Sequence, residues 1–121
     1  MKHPVLDNAH AEYNIARELL SEAYPNGDFT EVAYHLACAV RLNLESYLVQ
    51  CNFSIPEERT LRNYITCAKV CGYSELTILI SMQETFDSWL NRDKHDISYN
   101  IIDKGFDIFA FSYNYVMDFG R

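Results

Sequence analysis

The sequence predicts an all-α protein, a single domain of 121 residues folded as an antiparallel up-and-down bundle of four to five helices. Three observations support this prediction. Hydrophobic residues recur at intervals of three and four over long stretches, which is the period of an amphipathic helix. Only four glycines and three prolines interrupt the chain, too few for a turn-dense β-sandwich. The predicted connections have about four to six residues, a length that favours antiparallel neighbours.

The first helix is predicted from its capping and turn residues. Asp7 is its predicted amino-terminal cap, and the strong turn formers at residues 24–27 end it. Asp28 and Glu31 then form a capping-box pattern, which predicts the start of a second helix. The apolar stripe of the first helix is predicted at Ala11, Ile15, Leu19 and Leu20.

The second helix is predicted to be the spine of the fold. Its apolar residues recur from Phe29 to Cys51, over roughly six turns. A second capping-box pattern, Ser54 with Glu57, predicts the start of a third helix. Gly72 is the predicted left-handed terminator of that helix. The apolar face of the third helix is predicted at Leu61, Tyr64, Ile65, Ala68 and Val70.

A fourth helix is predicted after Ser74. Its Ile-Leu-Ile triplet is by itself compatible with a strand, but the wider window has helical spacing. The polar residues 91–96 end or kink this helix. The last helix is predicted to begin at Asp96 or Asn100 and to run to the carboxy terminus. Gly105 weakens it locally, by up to about 1 kcal/mol relative to alanine.

The net charge of the chain and its amino-terminal sequence limit the expected partners and the expected location of the protein. A formal net charge of −7 disfavours binding to nucleic-acid phosphates and to anionic membranes, so neither DNA nor a membrane is an expected partner. Residues 1–4 lack the apolar run of a signal peptide, and no stretch approaches the roughly 20 apolar residues of a membrane span. We therefore expect a cytoplasmic protein.

Neither a metal nor a cofactor is expected from the sequence. In a reducing cytosol the cysteines are interpreted as small apolar helix residues without disulfides. Cys67 and Cys71 share a helix face, but no second pair of ligands accompanies them. No Gly-rich phosphate loop is present. Two carboxylate pairs have same-face spacing but lack a Glu-x-x-His motif, namely Glu84 with Asp87 and Asp103 with Asp107.

One stretch of the chain resembles a known family. Residues 33–48 read AYHLACAVRLNLESYL, and after a loop come Thr60 and Leu61. This pattern resembles the HEPN family, whose long second helix ends in a Leu-x-x-Tyr-Leu-type segment before a Thr-x-x-Leu-like helix start. The resemblance implies a HEPN-like helical bundle over nearly the whole chain. It also implies a domain that acts with small nucleotidyltransferases, often as a dimer, by supplying a groove for a nucleotide or substrate.

The chain departs from the family pattern at two places. Family members that cut RNA carry an Arg and a His with four to six residues between them. Here only two residues separate Arg92 from His95. If that segment stays helical, positions three apart share a face and the motif is degenerate rather than absent. Arg41 stands where many family members have Glu, which inverts a charge near the expected groove.

Six residues are candidates for a site. Arg92 and His95 are the candidate catalytic pair, because a cation can stabilise phosphate charge and an imidazole can move a proton near neutral pH. The alternative interpretation is a solvated helix end with basic residues that complement the dipole. His35 is interpreted as a histidine at a groove edge or a partner contact, since no paired nucleophile lies near it. Candidate ligand-binding residues are His35, Arg41, Lys94 and Tyr99.

Three functional hypotheses follow, and the sequence orders them. The leading one is a non-catalytic HEPN-like module, the partner or the substrate- or nucleotide-binding subunit of a small nucleotidyltransferase. The alternative is a metal-independent HEPN-type endoribonuclease of a toxin or defence system, with RNA as its ligand and Arg92 and His95 at its centre. The third is a helical bundle used for protein interaction alone. Motif spacing and acidic charge favour the first.

We predict a homodimer, because a thin bundle rich in Tyr, Phe, Ile and Leu leaves an apolar helix face uncovered. Light scattering of the purified protein at tens of micromolar should report twice the mass of one chain. A monomer at that concentration would contradict the prediction.

Overall fold

The computed structural model describes residues 4–23, 27–93 and 97–120. Within these ranges the secondary structure is entirely helical, which confirms the all-α bundle and excludes a strand at residues 78–80. The helices are α1 (Pro4–Ala23), α2 (Thr30–Gln50), α3 (Leu61–Val70), α4 (Thr77–Leu90) and α5 (Tyr99–Phe119). None of the described helices combines the length and the hydrophobicity needed to cross a bilayer.

The second helix is the centre of the bundle, as the sequence predicted. It packs against each of the other four helices. Small residues such as Ala33, Ala37 and Ala39 are completely buried and let neighbouring backbones approach closely. Larger buried residues such as Leu36 and Leu44 fill the space between the helices. The apolar positions of α2 therefore surround it rather than forming one stripe.

The first helix differs from its prediction in both start and phase. It begins at Pro4, a residue tolerated in a first helical turn, so Asp7 lies inside the first turn instead of capping it. There the negative charge still complements the helix dipole. Ala11 and Ile15 are exposed, and Ile15 is 40% accessible. The buried residues of α1 lie on another face of the helix and are Leu6, Ala9 and Ala16.

The predicted capping boxes are wrong in detail. Thr60, not Ser54, caps α3, and its hydroxyl accepts the Asn63 N–H at 3.1 Å. Ser54 lies in the preceding loop. Before α2, the Asp28 carboxylate accepts the N–H of Thr30 at 2.9 Å. Glu31 does not reach back to complete a box, because its carboxylate is paired with a distant arginine.

Two predicted core positions lie outside the core. Val70 is 71% exposed and Ile80 is 47% exposed. Val70 follows the buried Ala68 by two residues, which places it about 200° further round the helix and on the outer face. Large exposed apolar side chains occur on all five described helices. The homodimer therefore stays a prediction.

Three helices end with a residue in the left-handed backbone conformation. These are Asn52 (φ 56°), Gly72 (φ 95°) and Arg92 (φ 53°). In each case the N–H of the next residue bonds back across the last turn, from Phe53 to Leu48, from Tyr73 to Ala68 and from Asp93 to Ser88. This is the Schellman pattern. It confirms the prediction for Gly72 and shows that Arg92 holds a conformation that glycine adopts at less cost.

The connection between α2 and α3 runs back along α2. Its last part lies beside the middle of that helix, since Arg41 Nη1 donates to the Arg59 carbonyl at 3.0 Å. The Arg59 guanidinium is also 3.7 Å from the Glu45 carboxylate. The amino terminus of α3 therefore starts close to Arg41 rather than at the end of α2.

Gly105 lies where α5 meets α2 and α4. A Cβ atom at this position would be 2.7 Å from Leu36 Cδ2 and 3.2 Å from Trp89 Cζ3. Both neighbours are buried and have little room to move. The glycine therefore permits close helix packing, in addition to the local weakening that the sequence predicted.

We predict that Gly105→Ala destabilises the protein by about 1 to 3 kcal/mol, because overpacking outweighs the better helix propensity of alanine. Urea unfolding followed by circular dichroism measures the change. Asn114→Ala, at an exposed position of the same helix, isolates the propensity effect and should be neutral or slightly stabilising. A Gly105→Ala variant as stable as the parent would contradict the packing argument.

Candidate functional site

Polar side chains on α2 form a continuous stripe. Its members recur at intervals of three and four and therefore share one face of the helix. Its members contact Glu12 on α1, Arg92 just after α4, and Arg59 just before α3. We call it the α2 polar stripe, and its members are Glu31, Tyr34, His35, Cys38, Arg41 and Glu45.

His35 lies between two carboxylates. Its Nδ1 is 2.6 Å from Glu12 Oε2 on α1, and its Nε2 is 3.9 Å from Glu31 Oε2 one turn back on α2. The histidine side chain is 22% exposed. The ring therefore joins α1 to α2 and has both nitrogens turned toward acids, an arrangement suited to contact and positioning. The contact with Glu12 was not predicted from the sequence. The contact with Glu31 could have been predicted, because Glu31 and His35 are four residues apart on one helix.

Arg92 is held by two groups of α2. Its Nε is 3.0 Å and its Nη2 is 3.4 Å from the two carboxylate oxygens of Glu31, a two-point pairing. Its guanidinium carbon lies 3.6 Å from the centre of the Tyr34 ring, in cation–π geometry. The hydrogen bond with Glu31 raises the pKa of Arg92. The positive charge of Arg92, the candidate catalytic cation, is therefore balanced by the carboxylate of Glu31.

The condition under which Arg92 and His95 were expected to share a helix face is not met at Arg92. Helix α4 ends at Leu90, and Arg92 already has a left-handed backbone. Positions three apart share a face only while the helix continues, and here it does not. His95 and Lys94 lie outside the described residues. The helical continuity that the degenerate-motif hypothesis assumed is therefore absent at Arg92.

Tyr99 is the first residue of α5 and is 42% exposed. Its ring centre is 6.4 Å from that of Phe29, which immediately precedes α2. This places Tyr99 at the same end of the bundle as Glu31 and Arg92. Arg41 lies ten residues further along α2 than Glu31, so the structure separates these two candidate ligand-binding residues, Tyr99 and Arg41.

Tyr34 and Cys38 lie one helical turn apart on the same face of α2. The neighbouring thiol raises the pKa of Tyr34, while burial raises the pKa of the Cys38 thiol. A thiol with a raised pKa is largely protonated at neutral pH and is a poor nucleophile. The pair therefore packs the centre of the stripe and does not supply covalent catalysis.

A polar groove opens where the stripe meets α3 and α4. It comprises a depression of about 430 Å³ and an adjoining one of about 300 Å³, which we call together the α3–α4 groove. Residues common to both parts are Glu58, Thr60 and Asp87. The first part is also lined by Arg62, Asn63 and Glu84, and the second by Arg41, Arg59, Leu90 and Asn91.

Asp87 joins α4 to the amino terminus of α3. Its carboxylate accepts the N–H of Leu61 at 2.6 Å and the N–H of Arg62 at 3.3 Å. These are backbone donors without partners inside the helix, and a negative charge there complements the helix dipole. Glu84 lies 3.8 Å from the Arg62 guanidinium. The two carboxylates of this same-face pair therefore act differently on α3: Asp87 caps its backbone N–H groups, and Glu84 lies near the Arg62 side chain.

Metal binding finds no support among the residues that the structure describes. They contain no group of three or more His, Cys, Asp or Glu side chains arranged to hold a metal ion. The α3–α4 groove instead carries arginines and carboxylates together. Such a lining offers hydrogen-bond donors and acceptors to a polar ligand.

We predict that Asp87→Ala destabilises the protein by about 1 to 2 kcal/mol, because it removes an acceptor from two helix-end N–H groups. Asp87→Asn keeps one acceptor oxygen and should recover part of the loss. Asp107→Ala, at an exposed mid-helix position, is the matched control. Equal denaturation midpoints for Asp87→Ala and Asp107→Ala would show that the cap contributes nothing.

Two substitutions at Arg92 distinguish the cost of its positive φ from the contribution of its side-chain contacts. Both Arg92→Ala and Arg92→Gly remove the contacts with Glu31 and Tyr34, but only glycine relieves the positive φ. We expect Arg92→Gly to melt roughly 3 to 6 °C above Arg92→Ala. Scanning calorimetry measures both midpoints, and identical values would argue against a left-handed residue in solution.

The chain was compared with known proteins at three levels. No protein-family model matches it. No curated protein sequence matches it either, and no solved structure does.

Proposed function

We propose that this protein is a non-catalytic HEPN-like binding module, the partner or nucleotide-binding subunit of a small nucleotidyltransferase. The resemblance of residues 33–48 to the HEPN pattern suggests the class of partner. One observation supports the non-catalytic assignment above the others. The Arg92 guanidinium is occupied by Glu31 and stacked on Tyr34.

The occupied guanidinium disfavours an RNA-cleaving role. A cleavage site needs positive charge directed at the phosphate on which negative charge develops. Glu31 already supplies a carboxylate to Arg92 through two hydrogen bonds. A phosphate would have to displace that carboxylate and would meet its negative charge nearby. Contact between Arg92 and Glu31 is therefore better suited to holding the end of α4 against α2.

The α3–α4 groove is the surface proposed to bind the ligand. Its two parts fall within or near the size range of small-molecule sites, about 300 to 1,000 Å³. Three guanidinium groups line it and are suited to phosphate oxygens, those of Arg41, Arg59 and Arg62. Glu58 and Asp87 provide acceptors for the amino and hydroxyl groups of a base and a ribose.

Arg41 connects this groove with the rest of the α2 polar stripe. It donates to the Arg59 carbonyl, which fixes the edge of the groove. Its positive charge also acts on Tyr34 and Cys38 further up α2. The arginine that stands in place of the family's usual glutamate therefore contributes a cation to the proposed binding surface.

Nucleotide binding tests the proposal. Titration calorimetry with ATP should detect binding to the full chain, and Arg62→Gln should weaken it about tenfold, as expected for loss of a charged hydrogen bond. Lys69→Gln removes the same charge from the far end of the same helix and should leave binding unchanged. Equal weakening by both variants would indicate net charge rather than the groove.

The catalytic alternative predicts a different result. If the module is non-catalytic, highly purified protein should leave single-stranded and structured RNA intact, and Arg92→Ala should change nothing in that assay. Gel analysis of labelled RNA after prolonged incubation makes the comparison. Cleavage that persists through purification and is abolished by His95→Ala would overturn the proposal in favour of a ribonuclease, for which losses of about 10²-fold or more are typical.

A further inference from the structure

A separate depression lies between the start of α4 and the last turns of α5. It has two parts, of about 370 Å³ and about 220 Å³, and Glu75 and Phe111 line both of them. We call it the α4–α5 depression. The first part is also lined by Ser74, Thr77 and Ile78, and the second by Asn114, Tyr115 and Asp118.

The wall that Tyr115 forms is fixed by the connection between α3 and α4. The Ser74 N–H donates to the Tyr115 hydroxyl at 3.1 Å, and the Ser74 hydroxyl oxygen is 3.2 Å from the same atom. The Tyr115 ring also packs on the buried ring of Tyr73, with the ring centres 4.0 Å apart. Because these contacts hold the wall in the free protein, a ligand does not have to order it.

Phe111 supplies an exposed aromatic ring to both parts of the depression. Its accessible fraction is 42%, which is high for a phenylalanine on a packed helix. Asn114, Tyr115 and Asp118 follow it at intervals of three and four and therefore share its face of α5. The face of a phenyl ring attracts cations and also packs well against methylene groups.

The depression carries negative charge. Glu75 and Asp118 line it, and among the residues that the structure describes no Arg, Lys or His does so. No described basic side chain forms a salt bridge with Glu75, whereas Glu31 and Glu45 each have an arginine nearby. Asp118 lies in the last turn of α5, where the helix dipole also favours a positive charge. The depression is therefore complementary to a cation.

The apolar part of the lining favours an organic cation over a metal ion. Phe111 and Ile78 offer no ligand atoms to a metal, and two carboxylates fall short of the three or more metal-binding side chains that a site needs. An alkylammonium ion uses both kinds of surface, because its charged group pairs with a carboxylate and its methylene groups pack on apolar side chains. Two parts that share Glu75 and Phe111 suit a linear molecule.

We propose that the α4–α5 depression binds a linear aliphatic polyamine. Its ammonium groups pair with the carboxylates of Glu75 and Asp118, and its methylene chain crosses the Phe111 ring. The site lies at the opposite end of α4 from the α3–α4 groove, to which α4 contributes Glu84, Asp87 and Leu90. The inference does not rest on the proposed function, since the two surfaces share no residue.

A series of ligands tests the proposal on the unaltered chain. Titration calorimetry at low ionic strength, where charge screening is weak, should show that spermidine binds more tightly than putrescine. Butylamine has a single charge and should bind about tenfold more weakly than putrescine, because it lacks one charged hydrogen bond. Magnesium chloride carries the double charge of putrescine without its methylene chain. Absence of spermidine binding, or displacement of spermidine by Mg²⁺ as effective as that by putrescine, would overturn the proposal.

Nuclear magnetic resonance locates the ligand in the unaltered protein. Spermidine should shift the backbone amide signals of residues 74–78 and 111–118 more than those of the rest of the chain. Shifts concentrated at residues 58–63 and 84–91, which include the α3–α4 groove, would contradict the assignment. This mapping needs no variant and is decisive even if a substituted chain fails to fold.

Variants identify the groups that bind. Glu75→Gln should weaken spermidine binding about tenfold, as expected for loss of a charged hydrogen bond. Phe111→Leu keeps an apolar side chain but removes the ring face, and should weaken binding about three- to tenfold. Glu18→Gln removes the same charge from an exposed position on α1 and should leave binding unchanged. Equal weakening by Glu75→Gln and Glu18→Gln would indicate attraction to the net charge and would overturn the proposal.

Discussion

Every helix of the bundle packs against α2, so the surface of this one helix constrains all the others. A helix surrounded on several sides buries many of its side chains and needs small residues wherever a neighbour crosses closely. The alanines of α2 meet this need on the α2 side. Gly105 meets it on the α5 side, where Leu36 occupies the space of a side chain.

Polar residues on such a helix need defined partners. Asn43 is fully buried, and its Nδ2 donates to Ser112 Oγ at 2.8 Å and to the Phe109 carbonyl at 3.3 Å. These bonds fix how α5 lies along α2, because a buried amide without partners is costly. The α2 polar stripe is the complementary case. It lies where neighbouring helices leave a gap, and the groups that border it come from α1, from the connection before α3 and from Arg92 after α4.

The fold was predictable where the periodic signal was long. The range of α2 and the terminator Gly72 agree with the structure, because many positions repeat one pattern or one residue has a strong backbone preference. Helix starts were less predictable. The Ser54 pattern depends on neighbouring residues alone, whereas in the structure Thr60 caps α3. The start of α3 is also fixed by Asp87, which lies 26 residues beyond Leu61. A capping pattern in sequence contains no information about such a partner.

The candidate site, like the fold, could be predicted from the sequence only in part. Arg92 and His35 were identified as chemically unusual residues, but their interpretation depended on partners far along the chain. Glu31 lies 61 residues before Arg92, and Glu12 lies 23 residues before His35. Helical spacing relates only residues within a few turns of one helix. The pairing of Arg92 with Glu31 therefore depends on the packing of α2 against the end of α4, which helical spacing in the sequence does not show.

The capping of α3 by a residue of α4 also bears on how the molecule opens. Two amide groups at the start of α3 are bonded to Asp87 rather than to water. When α4 moves away, these amides and the first turn of α3 lose their acceptor together. Hydrogen exchange proceeds through such local openings, in units whose members lose protection jointly. We therefore expect the first turn of α3 to lose protection together with α4, although a loop separates the two helices in the chain.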